Sequence, residues 1–267
     1  MESKFLRKKK FAMDYSVVTE TPDIKITEEA LSMLYTRYEF ARSFCKDKEV
    51  LEVACGAGQG LGFLKSSAKR VIGGDYTGRL VKSANHHYKG RVPVLRLDGH
   101  FLPFQNESFD VIILYEAIYY LKETDLFFDE CRRLLRKEGH LLICSANKDC
   151  DGFNPSPYSH MYFSISELQT ILSNYPFETK YYGTFRTSGT SNTLGIISLI
   201  KRLAVALHLI PKTMKGKEIF KRLFSGKLVQ FPAEIIEHMA EYNNPEPISA
   251  NSPVPDYKVI YATAKLT

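Results

Sequence analysis

Five short apolar runs, evenly separated by helical patterns, constrain the fold of this chain more than any other feature. They are Glu49 to Cys55, Arg70 to Asp75, Val92 to Asp98, Phe109 to Tyr115 (FDVIILY) and His140 to Ala146 (HLLICSA). Between them the sequence reads as helix over roughly Gly60 to Ser67, Thr77 to His87 and Thr124 to Arg136, the last stopped by Gly139. Continuous apolar strands alternating with helices require a parallel sheet covered on both faces. Right-handed crossovers then make that sheet doubly wound. One more amphipathic helix precedes the first run. From Glu28 to Phe44, Leu31, Leu34, Tyr35, Tyr38 and Ala41 recur at helical spacing, with Thr27 placed as N-cap.

After Ala146 the rhythm breaks. Asn147 to Ser159 reads as a loop with Pro155 and Pro157, Ser164 caps a helix to about Leu172, and Glu178 to Phe185 reads as a strand. Leu194 to about Leu228 reads as helical and basic, and Tyr257 to Leu266 as a final strand. The expected organisation is a mobile arm over 1–25 and a single domain over 26–267. Within it, 147–256 forms a substrate or lid insertion that is mostly helical from about 186 to 256.

Composition narrows the class. Apolar residues are 44% and charged residues 25% of 267, which excludes a collagen-like, low-complexity or wholly disordered chain. The five cysteines (Cys45, Cys55, Cys131, Cys144, Cys150) form no CxxC pair and read as reduced thiols, with no zinc site and no other metal. No uncharged apolar run reaches the roughly 18 residues of a membrane span, and MESKFLRKKK has no apolar signal core. The expectation is a cytoplasmic protein. The net charge of +6 is uneven: +4 falls in Met1 to Lys10 and +7 in Gly195 to Gln230, leaving −5 elsewhere. Such a basic amphipathic stretch suits an anionic or membrane surface, so 194–228 is expected to give peripheral contact there. Nucleic acid is disfavoured, because no RNA-binding motif accompanies the charge.

The chemistry concentrates at Glu52-Val53-Ala54-Cys55-Gly56-Ala57-Gly58-Gln59-Gly60, where a strand runs into a glycine-rich turn and then a helix. Glycines there admit a ligand close to the backbone, and the helix start presents unpaired N–H groups. A mononucleotide loop needs GxxxxGK[ST], which is absent, and a nicotinamide loop needs a third glycine where Leu61 stands. Glu52, four residues before Gly56, favours a cationic ligand over a pyrophosphate. Asp75 closes the second run, 19 residues beyond Gly56, at the spacing of a ribose-binding acid. Asp98 closes the third, where a carboxylate can accept from an adenine amino group.

These motifs resemble those of the class I S-adenosylmethionine-dependent methyltransferases. EVACGAG (Glu52 to Gly58) is similar to that family's E/D-x-G-x-G-x-G loop, with Ala54 in the first glycine position. GGDYTGRLV and LRLDGHFLPFQNESFDVIILYEAIYYL resemble its ribose and adenine regions. The likeness covers roughly Tyr38 to Ala146. The helix carrying Arg37 and Tyr38 also resembles the R-Y-x-F-A helix of methyltransferases from glycan and polysaccharide gene clusters.

The resemblance implies a Rossmann-like sheet of seven strands, the last antiparallel, with S-adenosyl-L-methionine as cofactor. Glu52, Ala54, Cys55, Gly56 and Gly58 would form the cofactor loop. Asp75 and Tyr76 would hold the ribose and flank the adenine, Asp98 and Gly99 would meet the adenine, and Tyr115 and Glu116 would line the site after the fourth strand. The implied function is methyl transfer to an oxygen or nitrogen of a small molecule, such as a sugar or a glycan- or lipid-linked intermediate. An RNA methyltransferase and a non-catalytic nucleotide-binding protein on the same fold are the alternatives. Tyr119, His160 and Glu116 are the candidate bases or positioning groups.

Overall fold

The fold is described by a computed structural model over residues 13–187 and 228–267. Its centre alternates as expected: β1 (Lys25–Thr27), α1 (Glu28–Cys45), β2 (Glu49–Val53), α2 (Leu61–Lys65), β3 (Arg70–Asp75), α3 (Gly78–Tyr88), β4 (Val94–Arg96) and β5 (Phe109–Tyr115). There follow α4 (Thr124–Leu134), β6 (Leu135–Ala146), α5 (Ile165–Leu172), β7 (Phe177–Arg186), β8 (Leu228–Gln230), β9 (Glu246–Pro247) and β10 (Tyr257–Leu266). The predicted caps hold. Thr27 Oγ1 accepts from the Ala30 amide at 3.1 Å, and Ser164 with Glu167 forms a reciprocal capping box on α5.

The main sheet runs β4-β3-β2-β5-β6-β10-β7-β9. Strands β2 to β6 are parallel, and β10 lies antiparallel between β6 and β7. The two-residue β9 adds an eighth strand at the edge beyond the seven expected, and β1 pairs with β8 in a separate two-stranded ribbon. Because side chains alternate along a strand, each strand feeds two cores. Val50, Val111, Leu142 and Val259 face α1, while Leu51, Ile112, Ile143 and Ile260 face the layer holding α4 and α5. The Rossmann-like expectation is met, with the sheet open rather than closed into a barrel.

Three expectations are corrected. Helix α4 stops at Leu134, not Arg136, and Gly139 lies within β6; a Cβ there would come 2.8 Å from the Arg136 carbonyl oxygen. The described part of the supposed mobile arm is docked. A 3-10 helix (Tyr15–Val17) is capped by Asp14, and the Tyr15 amide donates to Thr77 Oγ1 at 3.2 Å. Residues 228–256 contain no helix, since Pro232, Pro245, Pro247, Pro253 and Pro255 deny amide donors along the stretch. The helical and membrane-contact reading of 194–228 lies, up to residue 227, outside the described residues. Among the described residues, no helix is long and apolar enough to cross a membrane.

Candidate active site

A cavity of about 680 Å³ opens along the carboxyl ends of β2, β3 and β5, where the strand order reverses between β2 and β5. Its floor is the predicted loop. Ala54 (φ 58°), Gly56 (φ 60°) and Gly58 (φ 87°) take left-handed conformations. Ala54 therefore occupies a backbone state that costs an alanine about 1–2 kcal/mol. The bend is tied to the next strand through Asp75, whose Oδ2 accepts from the Gly56 amide at 2.9 Å and whose Oδ1 accepts from the Thr77 amide at 2.7 Å. Burial nonetheless raises the Asp75 carboxyl to about 6.

Nine of the eleven residues expected at the cofactor line this cavity: Ala54, Cys55, Gly56, Asp75, Tyr76, Asp98, Gly99, Tyr115 and Glu116. Glu52 and Gly58 do not. Glu52 sits beneath the loop, where its Oε1 accepts from the Tyr38 hydroxyl at 2.5 Å. Burial lifts its pKa to about 7, against the Tyr38 hydrogen bond and the Arg37 charge that lower it. Gly58 is a packing glycine. A Cβ there would meet Tyr88 Cε2 at 3.0 Å, and the Tyr88 hydroxyl donates to the Gly58 carbonyl at 2.6 Å. At Gly60 a Cβ would lie 1.8 Å from the Tyr38 ring, so this glycine lets α1 close against the loop.

One end of the cavity, where the sequence places the adenine, is bounded by Tyr76, Leu97, Asp98, Gly99, His100 and Leu121. Asp98 Oδ1 receives the His100 amide at 3.0 Å and lies 2.6 Å from His100 Nδ1. At the other end the three catalytic candidates converge. The Tyr119 hydroxyl donates to Glu116 Oε2 at 3.0 Å, and the His160 amide donates to the Tyr119 carbonyl at 2.7 Å. Glu116 is held at φ 51° directly after β5. Tyr119 stacks on Tyr162 with centroids 4.0 Å apart, and burial, then Glu116, pushes its hydroxyl well above the usual range.

Several lining residues carried no decisive sequence signal. Tyr15 bridges the mouth, its ring centroid 6.0 Å from Tyr76 and 5.0 Å from Tyr120. Thr19 lies over Gly56, its Cγ2 3.3 Å from where a Cβ would sit. Arg37 reaches the cavity from α1, its Nε donating to the Met33 carbonyl at 3.2 Å. Burial opposes its charge, but Glu116, Cys144, Tyr261 and Glu20 outweigh it and hold the guanidinium firmly protonated. Gln59 Nε2 and the Tyr115 hydroxyl are buried, line the cavity and have no hydrogen-bond partner. Buried polar groups left unpaired are costly, so these two fit a ligand that brings its own acceptors. The amino-acid end of S-adenosylmethionine has that character, while the acid-lined opposite end suits its adenosine. Among the described residues no group of His, Cys, Asp and Glu could hold a metal ion.

Residues 51–143 match the family model described as a methyltransferase domain. Over that stretch the chain is similar to a methyltransferase domain. A probable S-adenosylmethionine-dependent methyltransferase of Mycolicibacterium smegmatis is 30% identical over 152 residues, or 54% of this chain and 58% of that protein. The chain thus matches little more than half the length of that curated relative. A fatty-acid O-methyltransferase of the same species is 29% identical over 117 residues, 42% of each chain. The YcgJ protein of Bacillus subtilis superposes with a TM-score of 0.57 at 16% identity, over 86% of this chain and 97% of that one, a likeness of fold.

Proposed function

We propose that this methyltransferase domain transfers a methyl group from S-adenosylmethionine to an oxygen or nitrogen of a small acceptor, such as a sugar or a glycan- or lipid-linked intermediate. The observation that carries this reading is the Tyr119–Glu116 pair, set in the same cavity as the glycine bend and Asp98. The fatty-acid O-methyltransferase relative supports a hydroxyl-type or carboxyl-type oxygen as the accepting atom.

The cofactor supplies a methyl already activated on a sulfonium. The protein's share is alignment, exclusion of water and removal of a proton from the acceptor. Asp75, Tyr76, Asp98 and Gly99 would hold the adenosine half, and Gly56 with Gln59 and Arg37 the amino-acid half. Glu116 takes the acceptor proton. Tyr119, kept protonated by its surroundings, fixes the Glu116 carboxylate by donating to Oε2. Tyr15 and Tyr120 close the mouth against water.

Titration calorimetry with S-adenosylmethionine and with NAD tests the cofactor. Glu116→Gln then tests the base: turnover of a methylated acceptor should fall by about a hundredfold or more while cofactor affinity holds. Unchanged turnover would remove Glu116 from the mechanism, and preferred binding of NAD would remove the reading itself.

A further inference from the structure

One face of α1 forms a wall of the cavity. Ala30, Met33, Leu34 and Arg37 all line it, and their i, i+3, i+4, i+7 spacing puts them on one side of the helix. Arg37 marks the reacting end of this face, since Glu116 is the charge that acts on it most strongly. Ala30 lies two helical turns back, about 10 Å along the axis. There Lys258 Nζ donates to Glu29 Oε1 at 2.5 Å, which ties the start of β10 to the first turn of α1. Val259 and its strand partner Ala146 line the cavity beside this tie. Val18 and Phe231, from the segments before β1 and after β8, line it as well. Leu34, Phe231 and Val259 are buried in one apolar cluster, against which Ala30 and Met33 pack.

Between Arg37 and the Lys258–Glu29 tie, these described side chains offer no nitrogen or oxygen. Two charged groups line this part of the cavity. Glu20 acts on Arg37, and Lys258 is engaged by Glu29. A sugar ring placed along this trough would strip water from its hydroxyls and find no replacement partners, whereas methylenes gain by leaving water. Polar lining groups gather elsewhere. The Tyr120 hydroxyl bonds Ser156 Oγ at 2.5 Å, and the His160 amide bonds the Tyr119 carbonyl, beside Glu116. One cavity thus joins a polar region at Glu116 to an apolar trough along α1.

We propose that the methyl acceptor is amphipathic, a straight alkyl chain with the accepting oxygen at its end. The oxygen lies at Glu116 and the chain runs along Leu34, Met33 and Ala30. This rests on the methyl-transfer reading and narrows its acceptor from sugars to alkyl chains. In the transfer, the oxygen bonds to the methyl carbon as the carbon–sulfur bond breaks, and S-adenosylhomocysteine leaves. A hydroxyl passes its proton to Glu116, whereas a carboxylate has none to lose.

The full chain, without cofactor, is titrated by calorimetry with straight-chain alcohols from butanol to decanol and with the matching alkanoates. Affinity should climb about fourfold per methylene and level off once the chain spans about 10 Å. Tighter alcohols identify a hydroxyl facing Glu116, and tighter alkanoates a carboxyl facing Arg37. Ala30→Phe should move the levelling point to shorter chains. Met33→Gln, with unchanged circular dichroism and S-adenosylmethionine affinity, should weaken the longest chain by about tenfold. Affinity that stays flat across both series overturns the proposal, as does a levelling point and a long-chain affinity that neither variant moves. S-adenosylmethionine is titrated separately. If it binds and the alkyl chains do not, the acceptor proposal falls and the methyl-transfer reading stands. If the chains bind as expected and S-adenosylmethionine does not, the methyl-transfer reading falls and takes the acceptor role with it, leaving an alkyl-binding trough.

Discussion

Gln59 shows how a single side chain can serve a ligand at the expense of the empty protein. Its Nε2 is buried without a partner, while its backbone carbonyl accepts from the Ile235 amide at 2.9 Å. Replacing the amide by a thioether of similar length removes the unpaired donor and keeps the backbone contact. Gln59→Met should therefore stabilise the ligand-free protein by about 1 kcal/mol in urea titration. The same change should weaken S-adenosylmethionine binding by about tenfold in calorimetry. Stability and affinity moving in opposite directions would distinguish a ligand donor from a packing residue. Little in the sequence marked Gln59, because a polar residue in a glycine loop is ordinary. Asp75 and Asp98, by contrast, stood out because they close successive apolar runs beside the glycine loop, and both line the cavity.

At the scale of elements, two segments act as straps over the parallel core. The first carries Tyr15 and Thr19 across the loop. Tyr15→Ala should weaken cofactor binding by roughly tenfold, read by calorimetry, with little change in melting temperature, since Tyr15 is partly exposed and contacts mainly cavity walls. The second strap carries Glu234 over α2 and α3. Glu234 Oε2 lies 2.6 Å from His87 Nε2 and 2.7 Å from Arg91 Nη2, and a Cβ on Gly62 would come 1.7 Å from Glu234 Oε1. Gly62→Ala and Glu234→Ala should each lower the melting temperature by roughly 2–6 °C, and the pair should cost less than their sum. Neither strap was legible. The alternation of apolar runs identifies strands and helices that bury a face, whereas segments 13–20 and 231–240 are held by scattered polar contacts and by isolated apolar anchors such as Phe231 and Ile235 that follow no period.

For the molecule as a whole, the buried acids under the glycine loop set a dependence on pH. Burial raises Glu52 from 4.5 to about 7 and Asp75 from 3.8 to about 6. Both bind protons more tightly when folded. Their stabilising contribution is complete below about pH 4 and is lost as pH rises through about 6 and 7. Glu52→Gln cannot ionise and keeps an acceptor for Tyr38. Its stability relative to the native chain should therefore improve between about pH 5 and about pH 8 in denaturant titration. A relative stability that falls over that range would show Glu52 to be ionised and paired. The doubly wound sheet itself was readable from five apolar runs, but the place of β10 was readable only through family resemblance. Ten residues near the chain's end, Tyr257–Leu266, fill the slot between β6 and β7 along nearly their whole length. During synthesis, then, the half of the sheet holding β2 to β6 can assemble while β7 waits with only the two-residue β9 to pair with. A ribosome stalled before residue 257 would hold a nascent chain with two open strand edges, a target for chaperones and for self-association until Tyr257–Leu266 emerges.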